Sequence, residues 1–171
     1  PVKVGVIADS EVSGPGSNLM TLARDKSDNT WVVAATQTPD YDVSRHIVLF
    51  SSVDNGVTWK AGPTFVDSDN ELFNPSVAID KGVVHLAYYG GYLGIRYAKG
   101  KLSDPVEKWT NDLVPLPTTA TDYRQELDLQ LDSNGEAGLA YFSVGDDYNS
   151  IAAYWRPKAG TVATLLSSQN Y

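Results

Sequence analysis

The chain of 171 residues contains no cysteine, which excludes both a disulfide framework and a thiolate metal site. Basic residues are few: 13 Lys and Arg stand against 21 Asp and Glu, giving a formal net charge of −8. Binding to a nucleic-acid backbone needs clustered positive charge, so no nucleic-acid partner is expected. No apolar run approaches the roughly 18 residues of a membrane-spanning helix, so no membrane insertion is expected.

The residues that are abundant favour strands and turns. Four Trp, ten Tyr and four Phe supply bulky side chains suited to strands, while 14 Gly and 9 Pro supply turns. This mixture predicts an all-β fold rather than a helical bundle.

Three similar units of about fifty residues follow one another along the chain. Each unit opens with an alternating apolar strand that ends at an Asp in a turn: Leu19 to Asp25, Pro75 to Asp80 and Leu127 to Asp132. A short polar turn and a second strand follow each Asp, which is the pattern of a hairpin. A third strand and a fourth complete each unit. Four short strands repeated at this period predict the blades of a β-propeller.

The repeat places the blades at about 19–66, 74–116 and 125–168, with residues 2–8 forming an extra strand of a neighbouring or partner blade. Closed propellers usually have about four to eight blades, so three do not easily close a ring. A homodimer would make a six-bladed ring. The alternative is that the three units are part of a longer propeller. Open blade faces would expose apolar surface, which favours the homodimer.

One stretch fits a specific motif. Residues 52–59 match Ser-x-Asp-x-Gly-x-Thr-Trp at Ser52, Asp54, Gly56, Thr58 and Trp59. Asp54 can accept hydrogen bonds within a tight turn, Gly56 permits a positive φ, and Trp59 can pack the turn onto its blade. The stretch resembles the Asp-box, or bacterial neuraminidase repeat, of sialidase-like propellers. In that family the box lies away from the catalytic site, so the resemblance implies a structural role.

The same resemblance implies a catalytic site that the sequence does not reproduce. Sialidases use three arginines to clamp a carboxylate, a Tyr nucleophile with a Glu partner, and an Asp acid. The family's early Phe-Arg-Ile-Pro motif is missing here. Glu71, Glu126 and Asp147 are carboxylates in or beside loops, but no catalytic residue can be assigned from them.

Loops that join blades, and loops between second and third strands, share one face of a propeller. Here they include Thr118 to Gln125 and carry aromatic, acidic and arginine side chains. Aromatic faces stack on sugar rings, and charged groups bind hydroxyls, so these residues suit carbohydrate or protein recognition. The candidate ligand-binding residues are Asp40, Tyr41, Arg45, Glu71, Tyr92, Tyr123, Arg124, Asp147 and Tyr148.

The sequence therefore favours a non-catalytic glycan- or protein-binding propeller module of a secreted or surface protein. The alternatives are a sialidase-like glycoside hydrolase or a fragment of one, and a structural propeller segment used for assembly. No cofactor is expected. His46 and His85 do not have the spacing of a metal pair. The acidic stretches 67–71 and 145–147 leave calcium open, although neither has EF-hand spacing.

Overall fold

The computed structural model describes residues 20–37, 45–67, 71–145 and 150–167. Within these ranges the chain is all-β, with two short 3-10 turns at Gly91–Leu93 and Val106–Lys108. No helix among the described residues is long and apolar enough to cross a membrane. The all-β prediction is confirmed.

In the described part of the chain, twelve strands form three antiparallel sheets of four strands, each in simple sequence order. The first sheet contains β1 (Met20–Arg24), β2 (Trp31–Gln37), β3 (His46–Ser52) and β4 (Lys60–Phe65). The second contains β5 (Phe73–Asp80), β6 (Val83–Tyr89), β7 (Ile95–Lys101) and β8 (Thr110–Leu113). The third contains β9 (Ala120–Leu131), β10 (Ala137–Gly145), β11 (Ser150–Arg156) and β12 (Thr161–Ser167).

The sheets stack through their first strands. Strand β5 packs against β1 and β2 of the first sheet, and β9 packs against β5 and β6 of the second. Two apolar cores result, one in each interface. The first includes Val32, Leu49 and Leu86, and the second includes Tyr97, Leu139 and Trp155. Because consecutive side chains of a strand point to opposite faces, the second sheet contributes to both cores.

A tryptophan packs at the outer edge of the interface between the first and second sheets. Trp109 precedes β8 and packs edge-on against Phe65 at the end of β4, with 5.3 Å between ring centroids. A side chain on Gly100 would collide with the Trp109 ring, since an added Cβ would lie 2.3 Å from it. Trp59 and Trp109 each directly precede the fourth strand of their sheet.

The third unit differs from its sequence prediction. Its first strand begins at Ala120, so the predicted loop from Thr118 to Gln125 is wrong for most of its length, and Tyr123 and Arg124 lie in β9. The strand extends because β10 also continues to Gly145 and pairs with it across an irregularity between Tyr141 and Ser143. The shorter prediction followed the apolar alternation alone, which stops before this polar extension.

Other boundaries shift less. Strand β5 starts at Phe73 rather than Pro75, and β7 runs over Ile95–Lys101 after a 3-10 turn. The proposed strand at residues 2–8 lies outside the described residues. A ring completed by a second copy stays a prediction.

Candidate functional site

Antiparallel order places the connections of each sheet alternately at two ends. One end carries the Asp-containing hairpin turns and the 53–59 turn, and we call it the hairpin end. The other carries the β2–β3, β4–β5, β6–β7 and β8–β9 connections, and we call it the loop end. Arg45, Glu71 and Tyr92 lie at the loop end, on connections from two different sheets. The sequence assigned these residues to one face of the molecule.

Arg45 bridges the first and second sheets at the loop end. Its backbone carbonyl accepts a 3.1 Å hydrogen bond from the backbone N–H of Leu72. Its guanidinium lies 4.6 Å from the centroid of the Phe73 ring. A cation over an aromatic face is held electrostatically, so Phe73 restricts where the arginine points. The guanidinium is thereby held over the Phe73 ring at the loop end.

Phe73 in turn contacts Tyr89 within the second sheet. The ring centroids are 6.3 Å apart with an interplanar angle of 34°, and the two residues pair across β5 and β6. Burial raises the pKa of the Tyr89 hydroxyl, and nearby Asp122 and Tyr92 add to this effect. Tyr89 therefore stays neutral at physiological pH. Arg45, Phe73 and Tyr89 together form what we call the loop-end cluster. Tyr89 also packs against the core between the second and third sheets.

Two further side chains border this region. Tyr92 is fully exposed in the 3-10 turn after β6. Glu71 is exposed immediately before the buried Leu72. An exposed ring three residues after Tyr89 can stack on a sugar, while the Arg45 guanidinium can donate hydrogen bonds to hydroxyls. The side chains of the loop-end cluster are therefore suited to polar and aromatic recognition.

Tyr123 lies in the interface between the second and third sheets, against the same core as Tyr89. Its hydroxyl donates a hydrogen bond to the carbonyl of Val114, and its ring lies 6.5 Å from that of Tyr141. Gly94, at φ 75°, lies directly under the ring, since an added Cβ would be 2.3 Å from it. Burial raises the pKa of the Tyr123 hydroxyl, and Arg96 opposes that shift. Tyr123 is thus half-buried and bonded within the chain.

The remaining predicted ligand-binding residues cannot be placed in this way. Asp40, Tyr41, Asp147 and Tyr148 lie outside the described residues, as does the side chain of Arg124. Sequence reasoning missed Phe73 and Tyr89. The signal that could have found them is an aromatic at each end of the predicted β5–β6 hairpin, where antiparallel pairing brings the two together.

The 52–59 segment lies at the hairpin end, at the opposite end of the sheets from the loop-end cluster. Asp54 accepts hydrogen bonds from the Thr58 backbone N–H at 2.9 Å, the Thr58 hydroxyl at 2.6 Å and the Ser52 hydroxyl at 2.8 Å. These bonds lower the pKa of Asp54 to about 2. Gly56 has φ 82°, and the Trp59 indole N–H donates to its carbonyl at 3.1 Å. All partners are local, so the segment stabilises its own turn.

Carboxylates are mostly exposed in the described part of the chain. Among those residues the one buried carboxylate is Asp25, which lies at the hairpin end. No group of three or more His, Asp or Glu side chains that could hold a metal ion occurs in the described ranges. His85 is buried in β6, with its Nδ1 2.6 Å from the Tyr97 hydroxyl, so it is a packed residue.

A cavity of about 370 Å³ opens along the first strands of all three sheets, toward the hairpin end. Its lining includes Arg24 and Lys26 from the first sheet, Asp80 from the second and Asp132 from the third. The sequence did not predict it. Its position between β1, β5 and β9 makes it a groove along the side where the first strands converge.

No family model matches the sequence, and no curated protein matches it. Solved structures do match the fold. The alpha-L-arabinanase of Penicillium chrysogenum, complexed with arabinobiose, is 18% identical with a TM-score of 0.57, over 84% of this chain and 47% of that one. The GH93 alpha-L-arabinofuranosidase of Fusarium graminearum, also with arabinobiose, is 13% identical with a TM-score of 0.53, over 86% and 49%.

A fucose lectin from Kordia zhangzhouensis, in complex with methyl-fucoside, is 12% identical with a TM-score of 0.51, over 88% of this chain and 99% of the lectin. These neighbours are β-propeller proteins that bind glycans. The fold is that of a β-propeller. The chain spans about half the length of the arabinan-degrading enzymes that it matches, but nearly the whole of the lectin. Identity this low supports the fold alone.

Proposed function

We propose that this chain is a non-catalytic, glycan-binding β-propeller module. The observation that carries the proposal is the loop-end cluster, where the Arg45 guanidinium lies against Phe73 beside Tyr89. Exposed Tyr92 adds a ring that no packing role occupies. Apolar platforms with a few convergent polar groups are the usual composition of small-ligand sites.

The arrangement suits a neutral sugar. Sugar rings present C–H faces that stack on aromatic side chains, and their hydroxyls accept hydrogen bonds from a guanidinium. Arg45 is already placed by Phe73, so little further side-chain entropy is lost when it binds. The neighbours add support, since the structures named above hold arabinobiose or methyl-fucoside. Glycan recognition is therefore favoured over recognition of a protein ligand.

A glycoside hydrolase is the second candidate, because the chain matches about half of two arabinan-degrading enzymes. Such hydrolysis generally needs two carboxyl groups across one pocket, one of them protonated near neutral pH. Within the described ranges, no carboxylate at the loop end is buried, and Asp25 lies at the other end with its pKa lowered. These observations favour binding without turnover.

The type of propeller, the location of the module and its assembly are proposed from the sequence. The pattern at residues 52–59 supports a place among Asp-box propellers of the sialidase-like type. We also propose that the module acts outside the cell, in a secreted or surface protein, and as a homodimer.

The test is direct binding. A glycan array, followed by calorimetry with methyl-fucoside and arabinobiose, measures binding to the wild type, Arg45→Ala and a matched control, Arg156→Ala. Arg156 is a half-exposed arginine that pairs with Asp132 at the hairpin end. We expect binding of at least one glycan, weakened about tenfold or more by Arg45→Ala, since about 1.4 kcal/mol is a factor of ten, and unchanged by Arg156→Ala.

Turnover separates the two candidates. The same glycans and a fluorogenic sialoside are incubated with the protein, and released sugar is measured. Binding without release supports the module, whereas release of sugar from any of these compounds would favour the hydrolase. No binding to any glycan on the array would contradict the proposal.

A further inference from the structure

Alanine recurs at one position of the second strand in all three sheets. Ala34, Ala87 and Ala140 are spaced at equal intervals along the sequence. Each is paired with an equivalent residue of the first strand: Thr21 with Ala34, Ser76 with Ala87, and Asp128 with Ala140. The three alanines are therefore structurally equivalent and lie on the same face of their sheets.

In the first two sheets this alanine is covered by the sheet that follows. Ala34 is fully buried in the core that contains Val77 of β5, and Ala87 is fully buried in the core that contains Leu129 of β9. Ala140 is exposed. A small residue at this position lets the first strand of the next sheet approach closely. Ala140 is as small as the two buried alanines, but it is exposed rather than covered by another sheet.

The opposite face shows the complementary relation. Leu22, Val77 and Leu129 each lie three residues before the turn Asp of their unit. Val77 and Leu129 are buried against the preceding sheet, whereas Leu22 is 54% exposed and its neighbour Met20 is 64% exposed. Large apolar side chains project from the first sheet where the repeat normally inserts them into an interface.

We propose that a second copy of this chain covers both faces. Leu22 of one copy packs on Ala140 of the other, as Val77 and Leu129 pack within the chain, and a two-fold axis repeats the contact. The described residues of each copy contribute three sheets, so two such interfaces would close a ring of six. A two-fold arrangement is the commonest for soluble homo-oligomers.

The third sheet is shaped to receive such a partner. A cavity of about 330 Å³ on its open face is lined by Ala140, Ala152, Phe142 and Leu165, among other residues. Phe142 and Leu165 are exposed. A solvated apolar groove of this kind on a sheet face is typical of an interaction surface. Met20 and Leu22 are the projecting apolar groups that a second copy would bring to it.

A hydrogen bond between the second and third sheets supports the same alignment of the two copies. The Ser76 hydroxyl accepts a 2.9 Å hydrogen bond from the backbone N–H of Leu129, across the interface of the second and third sheets. Asp128 holds the position of Ser76 in the third sheet, and Leu22 holds the position of Leu129 in the first. The Asp128 carboxylate of one copy can therefore accept the Leu22 N–H of the other. Arg24 on the same face adds opposite charge.

A second copy is favoured over other partners because the same chain carries both surfaces, the projecting Leu22 face and the exposed Ala140 face. The glycan proposal uses residues of the first and second sheets within one chain. Its outcome is therefore independent of this interface.

Light scattering on the purified chain measures the assembly. We expect a mass of twice 18.5 kDa for the wild type. Ala140→Arg and Leu22→Arg each place a charge in the interface and should give the single-chain mass. Controls are Ala159→Arg, in the exposed β11–β12 turn, and Leu113→Arg, half-exposed on β8. Both controls should keep the double mass. Circular dichroism shows whether each variant remains folded.

A rescue variant and a cross-link give independent readouts. Leu22→Asp combined with Ala140→Arg should restore the double mass, because an aspartate then faces an arginine in each of the two interfaces. The chain lacks cysteine, so Leu22→Cys with Ala140→Cys can be joined by a short bismaleimide, and a covalent dimer should form. Leu22→Cys with Ala159→Cys should not form it. A wild type at 18.5 kDa, or a folded Ala140→Arg at twice that mass, would overturn the proposal.

Discussion

The backbone N–H of Gly82 donates a 2.7 Å hydrogen bond to Oδ2 of Asp25, joining the hairpin turns of the first and second sheets. Asp25 is fully buried, and its Oδ1 also accepts the backbone N–H and hydroxyl of Ser27 at 2.8 and 2.7 Å. These bonds lower its pKa against the opposing effect of burial. One carboxylate thus stabilises its own turn and holds the next sheet in place.

Removing this carboxylate should weaken the interface between the two sheets. Asp25→Ala leaves the Gly82 and Ser27 N–H groups without their acceptor, and we expect a loss of about 2–4 kcal/mol in the free energy of unfolding. Urea denaturation measures it. Asp132→Ala is the matched control, because Asp132 is the equivalent residue of the third sheet and is exposed. A loss as large in Asp132→Ala as in Asp25→Ala would contradict the account.

Stability should depend on pH through His85. Burial lowers the pKa of His85 to about 4, whereas its ordinary value is 6.5. Between these values the unfolded chain binds a proton that the folded chain does not, so the free energy of unfolding falls as the pH is lowered. We expect a fall of about 2 kcal/mol between pH 7 and 4.5, since one pKa unit corresponds to about 1.4 kcal/mol.

The His85→Gln variant isolates this effect. Glutamine keeps a polar group for the Tyr97 hydroxyl but does not titrate. Urea denaturation of the variant at the same two pH values should show a clearly smaller fall. An identical fall in both proteins would assign the pH dependence to other groups.

Gly94 should tolerate no side chain. An added Cβ would lie 2.3 Å from the Tyr123 ring, and the residue has φ 75°. Gly94→Ala should therefore lower the free energy of unfolding by more than the roughly 1–2 kcal/mol that positive φ alone costs an alanine. Gly160→Ala is the control, with φ 63° and no atom within 4 Å of the added Cβ. Equal losses in thermal or urea denaturation would show that Tyr123 does not pack as described.

Tyr92 should contribute to binding and not to stability. The side chain is fully exposed, so Tyr92→Ala should leave the melting temperature within about a degree of the wild type, as is usual for surface changes. Its loss should weaken glycan binding several-fold, because one stacking platform is removed. Calorimetry with the glycan selected on the array measures this. Val53→Ala, an exposed residue at the hairpin end, should change neither quantity.

The repeat made much of this fold predictable. Each turn Asp marked a hairpin correctly, because Asp, Asn and Gly reverse a chain between two apolar runs. The extent of β9 was not predictable, since Tyr123 and Arg124 belong to a polar stretch whose strand form depends on pairing with β10. The hydrogen bond from the Gly82 backbone N–H to Asp25 could not be predicted from the sequence either. It joins residues of different units, and local pattern does not specify how units stack.

The candidate site was predicted only in part. Arg45, Glu71 and Tyr92 were placed at the loop end by the order of strands alone. The contact between Arg45 and Phe73 depends on how closely the first two sheets approach, which periodicity does not encode. Phe73 and Tyr89 lie at the two ends of the β5–β6 hairpin, but aromatic residues at strand ends are common, so this signal alone does not single them out.

The central claim is that a glycan binds at the loop-end cluster of Arg45, Phe73 and Tyr89. Backbone amide shifts from ¹⁵N-labelled protein, titrated with the glycan selected on the array, test it most directly. We expect the largest saturable shifts at Arg45, Phe73, Tyr89 and Tyr92, and none at residues 52–59. Shifts concentrated at the hairpin end, or along the groove near Arg24 and Asp132, would contradict the account.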